Sequence, residues 1–112
     1  MKKALAVIFI FIIAFACSKK SSDFTADCST AAKSFTSDVS PIIQSSCATN
    51  AGCHASGSVN GPGALTNYTQ ISSAASQIRA SVSSGSMPQS GSLTTAQKNS
   101  IICWIDAGAQ NN

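Results

Sequence analysis

The stretch DVSPIIQSSCATNAGCH, residues 38–54, decides the fold, because it joins a helix pattern to a cluster of chemically reactive side chains. Its first half carries apolar residues at helical spacing. Asp38 is the predicted N-cap, and Pro41 falls in the first turn, where its missing N–H is tolerated. We therefore predict a short helix that begins at Asp38 and brings Cys47 to the edge of a site.

The second half of this stretch holds two cysteines, Cys47 and Cys53, and the only histidine of the chain, His54. Three kinds of site use such side chains. A disulfide between the two thiols needs no histidine and would leave His54 exposed and idle. A zinc ion needs a fourth ligand, which the sequence does not name. A covalently attached haem uses two thiols and one imidazole, and all three kinds of site stay open at this point.

Two further helices are predicted beyond this site. Residues 68–84 carry one apolar stripe, and Gly85 is a suitable C-terminal stop. Thr94 and Gln97 form a capping-box pattern at the start of the last helix, and Gly108 follows its end. The segments between the helices are rich in Gly, Pro and Ser, and no strand pattern is visible. The fold class we predict is all-α, with about three short helices and long loops.

Cys103 occupies an unusual position on the last helix. Ile101, Trp104 and Ile105 form the face that we expect to be buried, and Cys103 lies almost opposite that stripe. A cysteine there is well placed to hold a segment that crosses the outer side of the helix. Cys28 begins the predicted folded region, so we predict a Cys28–Cys103 disulfide; the alternative is that both are free buried thiols. Closing a loop of about 75 residues would stabilise the domain by roughly 4 kcal/mol.

The N-terminus predicts export. Lys2 and Lys3 precede an unbroken apolar run, residues 4–16, which is shorter than a membrane span of about 20 residues. The run fits the apolar region of a secretory signal peptide. Cys17 follows directly after a small residue, so it resembles the lipidated cysteine of a bacterial lipoprotein. An ordinary signal peptide and an uncleaved anchor are the alternatives, and both also export the domain.

These signals divide the chain into a lipoprotein signal peptide over residues 1–16, a lipidated N-terminus and flexible spacer over 17–27, and one small domain over 28–112. A domain of this size has a thin core and usually needs a staple such as a disulfide, a metal or a cofactor. The formal net charge is only +3, without a basic stripe, so nucleic acid is not an expected partner. Glutamate is absent and the four aspartates are scattered, so no acid–base pair of an enzyme is visible.

Three short motifs accompany the cysteines and the histidine. Met87 is the only methionine after the start residue, and it stands in a polar loop before a proline. The motifs are DVSPI at residues 38–42, SMP at residues 86–88 and WIDAGA at residues 104–109. Their order resembles the small monohaem cytochromes c, and more closely a group of exported bacterial cytochrome-c-like lipoproteins. The resemblance covers residues 37–109, which is most of the predicted domain.

The resemblance implies a cytochrome c-like domain with covalently bound haem c and its iron. Cys47 and Cys53 are then the thioether sites. His54 is the proximal iron ligand, and Met87 is the distal iron ligand. The implied function is an electron carrier that passes single electrons and is not an enzyme. Its implied partners are redox proteins at the membrane or in the periplasm. The implied location of the monomer is the bacterial cell envelope, on the periplasmic or cell-surface side, where the lipid anchors it.

The spacing of the cysteines departs from the usual C-x-x-C-H motif of that family, because five residues separate Cys47 from Cys53. In a continuous helix, residues six positions apart point about 240° apart, so both thiols could not face one haem edge. We therefore predict that the chain leaves the helix after Cys47, with Asn50 and Gly52 permitting the turn.

The alternative function is a haem-free, disulfide-stapled surface module that binds a protein or a glycan.

Overall fold

The computed structural model describes residues 23–112, which fold into helices joined by loops, without any strand. The predicted all-α class is confirmed for this part of the chain. The helices are a π-helical turn, Phe35–Val39, which continues into α1, Ser40–Ser46; α2, Tyr68–Ser73; α3, Ala75–Ser84; and α4, Thr95–Asp106. Within the described range, no helix is long and apolar enough to cross a membrane. The predicted signal peptide and Cys17 lie outside the described residues.

The chain enters α1 through the π-helical turn rather than through an N-cap at Asp38. Ser34 is the cap, because its Oγ accepts a hydrogen bond from the Ser37 N–H (3.1 Å). The Asp38 carboxylate instead accepts the Ser34 N–H (2.8 Å), so the predicted N-cap at Asp38 is wrong. The turn buries Phe35 and Val39, which gives the first helix an apolar face that begins earlier than predicted.

The second predicted helix is two helices in the structure. The chain leaves helical geometry at Ala74, where ψ is 7°, and this residue separates α2 from α3. No glycine or proline marks the position, and Ala74 is buried, so the break accompanies packing against the core. Gly85 ends α3 in the left-handed conformation, with φ of 75°, as predicted.

The last helix, α4, begins as predicted and packs more widely than predicted. Thr94 Oγ1 accepts the Gln97 N–H, and the Gln97 side chain accepts the Thr94 N–H (2.9 Å), which completes the capping box. Ile102 and Cys103 are buried, whereas Ile105 lies at the margin of the core. The buried face is wider than the predicted stripe because the N-terminal segment covers a second side of α4.

The predicted Cys28–Cys103 disulfide is confirmed, with the two Cα atoms 5.4 Å apart. It holds an N-terminal segment that contacts the helices from Phe24 onward, before the predicted start of the domain. Phe24 donates its N–H to the Ser83 carbonyl (2.8 Å), and the Ser83 hydroxyl donates to the Phe24 carbonyl (3.1 Å). The Lys98 ammonium lies 5.1 Å from the centre of the Phe24 ring. This segment therefore straps the end of α3 to the start of α4.

An aromatic cluster joins the helices in the core. The Phe35 ring lies 5.1 Å from the Tyr68 ring and 5.5 Å from the Trp104 ring, in edge-on and tilted arrangements. The last residues of the chain close over this cluster. The Trp104 indole donates to the Gln110 carbonyl (2.8 Å), and the Asn112 side-chain oxygen accepts the Phe35 N–H (2.8 Å). These contacts fix the start of the first helical segment, which continues into α1.

Candidate functional site

Two adjoining cavities lie between α1, α3 and the loops that follow these helices, with volumes of about 230 and 670 Å³. The larger one is within the range of small-molecule and cofactor sites, about 300–1,000 Å³. It is lined by all four predicted site residues: Cys47, Cys53, His54 and Met87. All of these except Cys53 also line the smaller cavity. The structure thus brings the four residues to one place.

The walls of the two cavities differ in polarity. The smaller cavity is walled by buried aliphatic side chains, namely Ile43, Leu65, Ile78 and Val82. The larger cavity is walled mainly by neutral polar residues and glycines, among them Thr49, Asn60, Gln89, Ser90 and Ser92. A site of this kind suits a ligand that has an apolar body and a polar edge.

His54 is fixed by three hydrogen bonds where the two cavities meet. Its N–H donates to the Cys47 carbonyl (3.0 Å), and its carbonyl accepts the Leu65 N–H (2.7 Å). Its ring Nδ1 lies 2.8 Å from the Gly63 carbonyl oxygen. The residue is only 7 % exposed, which contradicts the idle, exposed histidine that a local disulfide would leave. Both the main chain and the ring of His54 are therefore held in one orientation.

The contact with Gly63 also determines the tautomer of the neutral His54 imidazole. A carbonyl oxygen can only accept a hydrogen bond, so Nδ1 carries the proton and Nε2 carries the lone pair. Metal-ligating histidines are typically oriented in this way, with the second ring nitrogen donating to a carbonyl or a carboxylate. The Nε2 atom of His54 therefore carries the lone pair that a metal ion would require.

The five residues between the two cysteines fold into a compact turn. The first helix ends at Cys47, and the side-chain and main-chain oxygens of Asn50 both accept the Cys53 N–H (3.1 and 3.0 Å). A Cβ on Gly52 would lie 3.0 Å from the Asn50 Oδ1, so the turn favours glycine there. Because the turn returns His54 to the Cys47 carbonyl, the long spacing does not carry the histidine away from the end of α1.

Cys47 and Cys53 are both unbonded and half-buried, so the local disulfide between them is not formed in the structure. Burial raises the pKa of the Cys47 thiol, and the charge of the neighbouring Cys53 raises that pKa further. Cys47 is therefore a protonated thiol at neutral pH. Among residues 23–112, no group of three or more His, Cys, Asp and Glu side chains is arranged to hold a metal ion.

Met87 lies on the second loop of the site, after α3. Its N–H donates to the Ser81 carbonyl (3.2 Å), and the Ser86 hydroxyl donates to the same carbonyl (3.4 Å). Both bonds tie the loop back to the last turns of α3. The Met87 side chain is half-buried and lines both cavities. A thioether ligand is therefore available at the cavity that His54 also lines.

Sequence reasoning missed the residues that position the site. The Gly63 carbonyl orients the imidazole, but a main-chain acceptor leaves no signal in a sequence. Gln44 donates from Nε2 to the Leu65 carbonyl (3.0 Å) and ties the loop to α1. Asn60 donates from Nδ2 to the Gly52 carbonyl (2.6 Å). Both side chains are visible in the sequence as polar residues, but their partners lie too far along the chain to be recognised from spacing.

The chain was compared with family models, characterised proteins and solved structures. No family model, no characterised protein and no solved structure matches the chain. Any assignment of function therefore depends on the chemistry of the four residues at the cavity and on the groups that hold them.

Proposed function

We propose that the protein is an electron carrier, a membrane-anchored c-type cytochrome whose cytochrome c-like domain binds haem c. The observation that supports this function is that Cys47, Cys53, His54 and Met87 line one cavity. The residues come from two loops that are separated in sequence by α2 and α3. Their convergence is therefore a product of folding and not of proximity along the chain.

His54 and Met87 would be the two axial ligands of the haem iron. The Nε2 atom of His54 has the lone pair and the fixed ring orientation that ligation requires. When bound, the haem supplies a one-electron change at its iron, and His/Met ligation raises the reduction potential relative to nitrogen-only ligation. If both side chains bound the iron, no position would be left open to a substrate, which would favour electron transfer over catalysis.

Cys47 and Cys53 would hold the haem covalently through thioethers. Both thiols are unbonded, and the Cys28–Cys103 disulfide withdraws the other two cysteines of the domain from competing pairings. The aliphatic wall of the smaller cavity would exclude water from the haem. A dry, apolar surrounding is one of the factors by which a protein sets a reduction potential.

The proposed function is tested by expressing the full chain in a host that attaches haem. The reduced-minus-oxidised spectrum should be that of a low-spin haem c. Intact mass should show one haem, one lipid and one disulfide as separate mass changes, and acid extraction should leave the haem on the protein. A colourless protein that has the disulfide and no haem would contradict the proposal and favour the haem-free, disulfide-stapled binding module.

We expect Met87→Ala to keep its covalent haem and to lose one axial ligand, because the thioethers and His54 remain. The ferrous protein should then bind carbon monoxide. Its reduction potential should fall by on the order of 0.1 V, within the range of about 0.8 V that axial ligands control. Carbon monoxide difference spectra and spectroelectrochemistry measure the two effects. Gln89→Ala is the matched control, since Gln89 lines the same cavity and offers no thioether. An unchanged ferrous spectrum and potential in Met87→Ala would remove Met87 from the site.

We also propose that acylated Cys17 holds the exported chain to the bacterial envelope, on the periplasmic or cell-surface side, where its partners are redox proteins. The supporting observation is the order of two lysines, an apolar run and Ala16-Cys17. Cys17→Ser should become soluble or stay unprocessed, because stable anchoring takes more than one acyl chain and an acylated N-terminal cysteine supplies them. Fractionation and intact mass measure the change, with Ser18→Ala as the control. Identical partitioning and processing of the wild type and Cys17→Ser would refute the anchor.

A further inference from the structure

The C-terminal end of α3 forms part of the cavity wall. Ser81 and Val82, from the last turns of this helix, line the smaller cavity, and Met87 follows on the loop that lines both cavities. An α-helix leaves its last four main-chain carbonyls without partners inside the helix. In α3 these are the carbonyls of residues 81–84. The donors that reach these carbonyls therefore determine how firmly the helix end and the loop after it are held.

Two of these donors come from distant parts of the sequence. The Met87 N–H donates to the Ser81 carbonyl (3.2 Å), and the Phe24 N–H donates to the Ser83 carbonyl (2.8 Å). Main-chain carbonyls at the end of a helix all point along its axis, toward the residues that follow. The N-terminal segment and the loop that carries Met87 are therefore fastened to the same end of α3.

Phe24 is held by its carbonyl and its side chain as well as by its N–H. The Ser83 hydroxyl donates to the Phe24 carbonyl (3.1 Å), so two hydrogen bonds join these residues in opposite directions. The half-buried Phe24 ring packs against the core, and the Lys98 ammonium of α4 lies 5.1 Å from its centre. Because Phe24 contacts both helices, the last turn of α3 cannot fray without releasing it from Ser83.

We propose that Phe24 is a positioning residue for Met87: by capping the end of α3 it holds the loop that presents the Met87 thioether to the cavity. Phe24 itself lines neither cavity, so it acts through the helix end and not by contact with a ligand. The inference rests on the proposed function where it treats Met87 as an iron ligand. A loop that is already ordered loses less entropy when its side chain binds, so the bond from Met87 to the iron is stabilised.

Hydrogen exchange of the Met87 amide tests the position of the loop, because this N–H is protected by its bond to the Ser81 carbonyl. It is measured on the full chain, whether or not haem is attached. In Phe24→Ala the amide should exchange about tenfold faster, which corresponds to about 1.4 kcal/mol, the size of one net hydrogen bond. The Ile78 amide, which donates to the Ala74 carbonyl (2.9 Å) at the other end of α3, is the internal reference and should not change.

Three further variants separate the contacts of Phe24. Phe24→Tyr keeps the ring and should exchange at the wild-type rate. Ser83→Ala removes only the hydroxyl bond and should raise the rate by about threefold, near the lower end for one net hydrogen bond. This milder variant keeps the test decisive if Phe24→Ala does not fold. Thr25→Ala changes the exposed neighbour in the same segment and is the matched control, which should leave the rate unchanged.

The haem-loaded protein gives a second readout, at the iron. Carbon monoxide would bind the ferrous iron only when Met87 leaves it, so the binding rate should also rise about tenfold in Phe24→Ala. A merely structural role would not produce this pattern. A variant without the Cys28–Cys103 disulfide should lose more stability than Phe24→Ala, but it keeps the Phe24–Ser83 bonds. Its rate of carbon monoxide binding should therefore stay close to that of the wild type.

A Met87 amide that exchanges at the wild-type rate in Phe24→Ala would overturn the inference. Equal acceleration of the Met87 and Ile78 amides would overturn it too, because it would indicate a general loss of stability. So would a disulfide-free variant that binds carbon monoxide as fast as Phe24→Ala does. Failure of the proposed function gives a different result. If the chain carries no haem, or if Met87→Ala leaves the ferrous spectrum unchanged, the iron ligand is refuted, and exchange of the Met87 amide alone then supports or overturns the role of Phe24 in holding the loop.

Discussion

His54→Ala is expected to yield a chain with almost no covalently bound haem. His54 is the only histidine in the sequence, so no second imidazole can replace it. Removing the ring also takes away the hydrogen-bond partner of the half-buried Gly63 carbonyl, which loosens the loop that carries residue 54. Haem content should fall by at least about tenfold, since even the outer partners of metal ligands are worth about 10–100-fold in affinity.

Haem staining and absorbance per mole of protein measure this loss. Ser56→Ala is the matched control, because Ser56 is exposed in the same loop and lines neither cavity. His54→Gly with imidazole supplied during haem attachment separates a ligand from a structural residue, since free imidazole restores the ligand and not the peptide-bound ring. Wild-type amounts of low-spin haem in His54→Ala would show that His54 does not bind the iron.

The parts of the fold that follow local signals were predictable from the sequence. Two such features are the capping box of Thr94 and Gln97 and the left-handed conformation of Gly85. Both are set by hydrogen bonds and backbone preferences within one or two helical turns, so they can be predicted from a short segment of sequence. The Cys28–Cys103 disulfide was predictable for another reason. The N-terminal sequence predicts export, and in an oxidising compartment a cysteine that lies off the apolar stripe of a helix is expected to form a disulfide.

The parts that depend on distant residues were not predictable. The turn that Ser34 caps is also held by Asn112, which accepts the Phe35 N–H from 77 residues away. The Ser83 hydroxyl that holds Phe24 is 59 residues from it. A sequence segment as long as one helix contains neither partner. The early start of the first helix and the early start of the domain could therefore not be predicted from the sequence.

For the candidate site, the kinds of residue were predictable and their geometry was not. The sequence indicates two thiols, one imidazole and one thioether, and it predicts that the chain leaves the helix after Cys47. It does not indicate that Asn50 would close the turn with two bonds to the Cys53 N–H, nor that His54 would return to the Cys47 carbonyl. Because of those contacts, a five-residue spacing still leaves the main chain of His54 hydrogen-bonded to Cys47 at the end of α1.

Removing the Cys28–Cys103 disulfide should lower the free energy of unfolding by about 2–5 kcal/mol. The bond joins residues 75 apart in sequence, so it removes a large loop-closure entropy from the unfolded chain. Total stabilities of small domains are about 5–15 kcal/mol, so the loss is a large share. The residues next to Cys28 should also loosen, because their nearest remaining tie is an exposed bond from the Asp27 N–H to Asn99 Oδ1 (3.1 Å), whereas the two Phe24–Ser83 bonds should keep the start of the segment on α3.

The double variant Cys28→Ser/Cys103→Ser is the form to test, since a single substitution would leave one thiol able to pair with Cys47 or Cys53. Urea unfolding followed by the fluorescence of Trp104, which is buried in the core, measures the free energy. Reducing the wild-type disulfide under the same conditions should reproduce most of the loss. A loss below about 1 kcal/mol in both experiments would contradict the disulfide as the staple of this domain.

The expected stability loss from the disulfide can be compared with that from a second link to α4, an ion pair. The Arg79–Asp106 ion pair also joins α3 to α4, but both side chains are largely exposed, so solvent screens their attraction. Asp106→Asn should therefore change the unfolding free energy far less than loss of the disulfide. Neither Cys28 nor Cys103 lines a cavity, so the double variant should keep its haem while it loses stability. Haem loss in the folded double variant would instead show that the haem site depends on the Cys28–Cys103 disulfide.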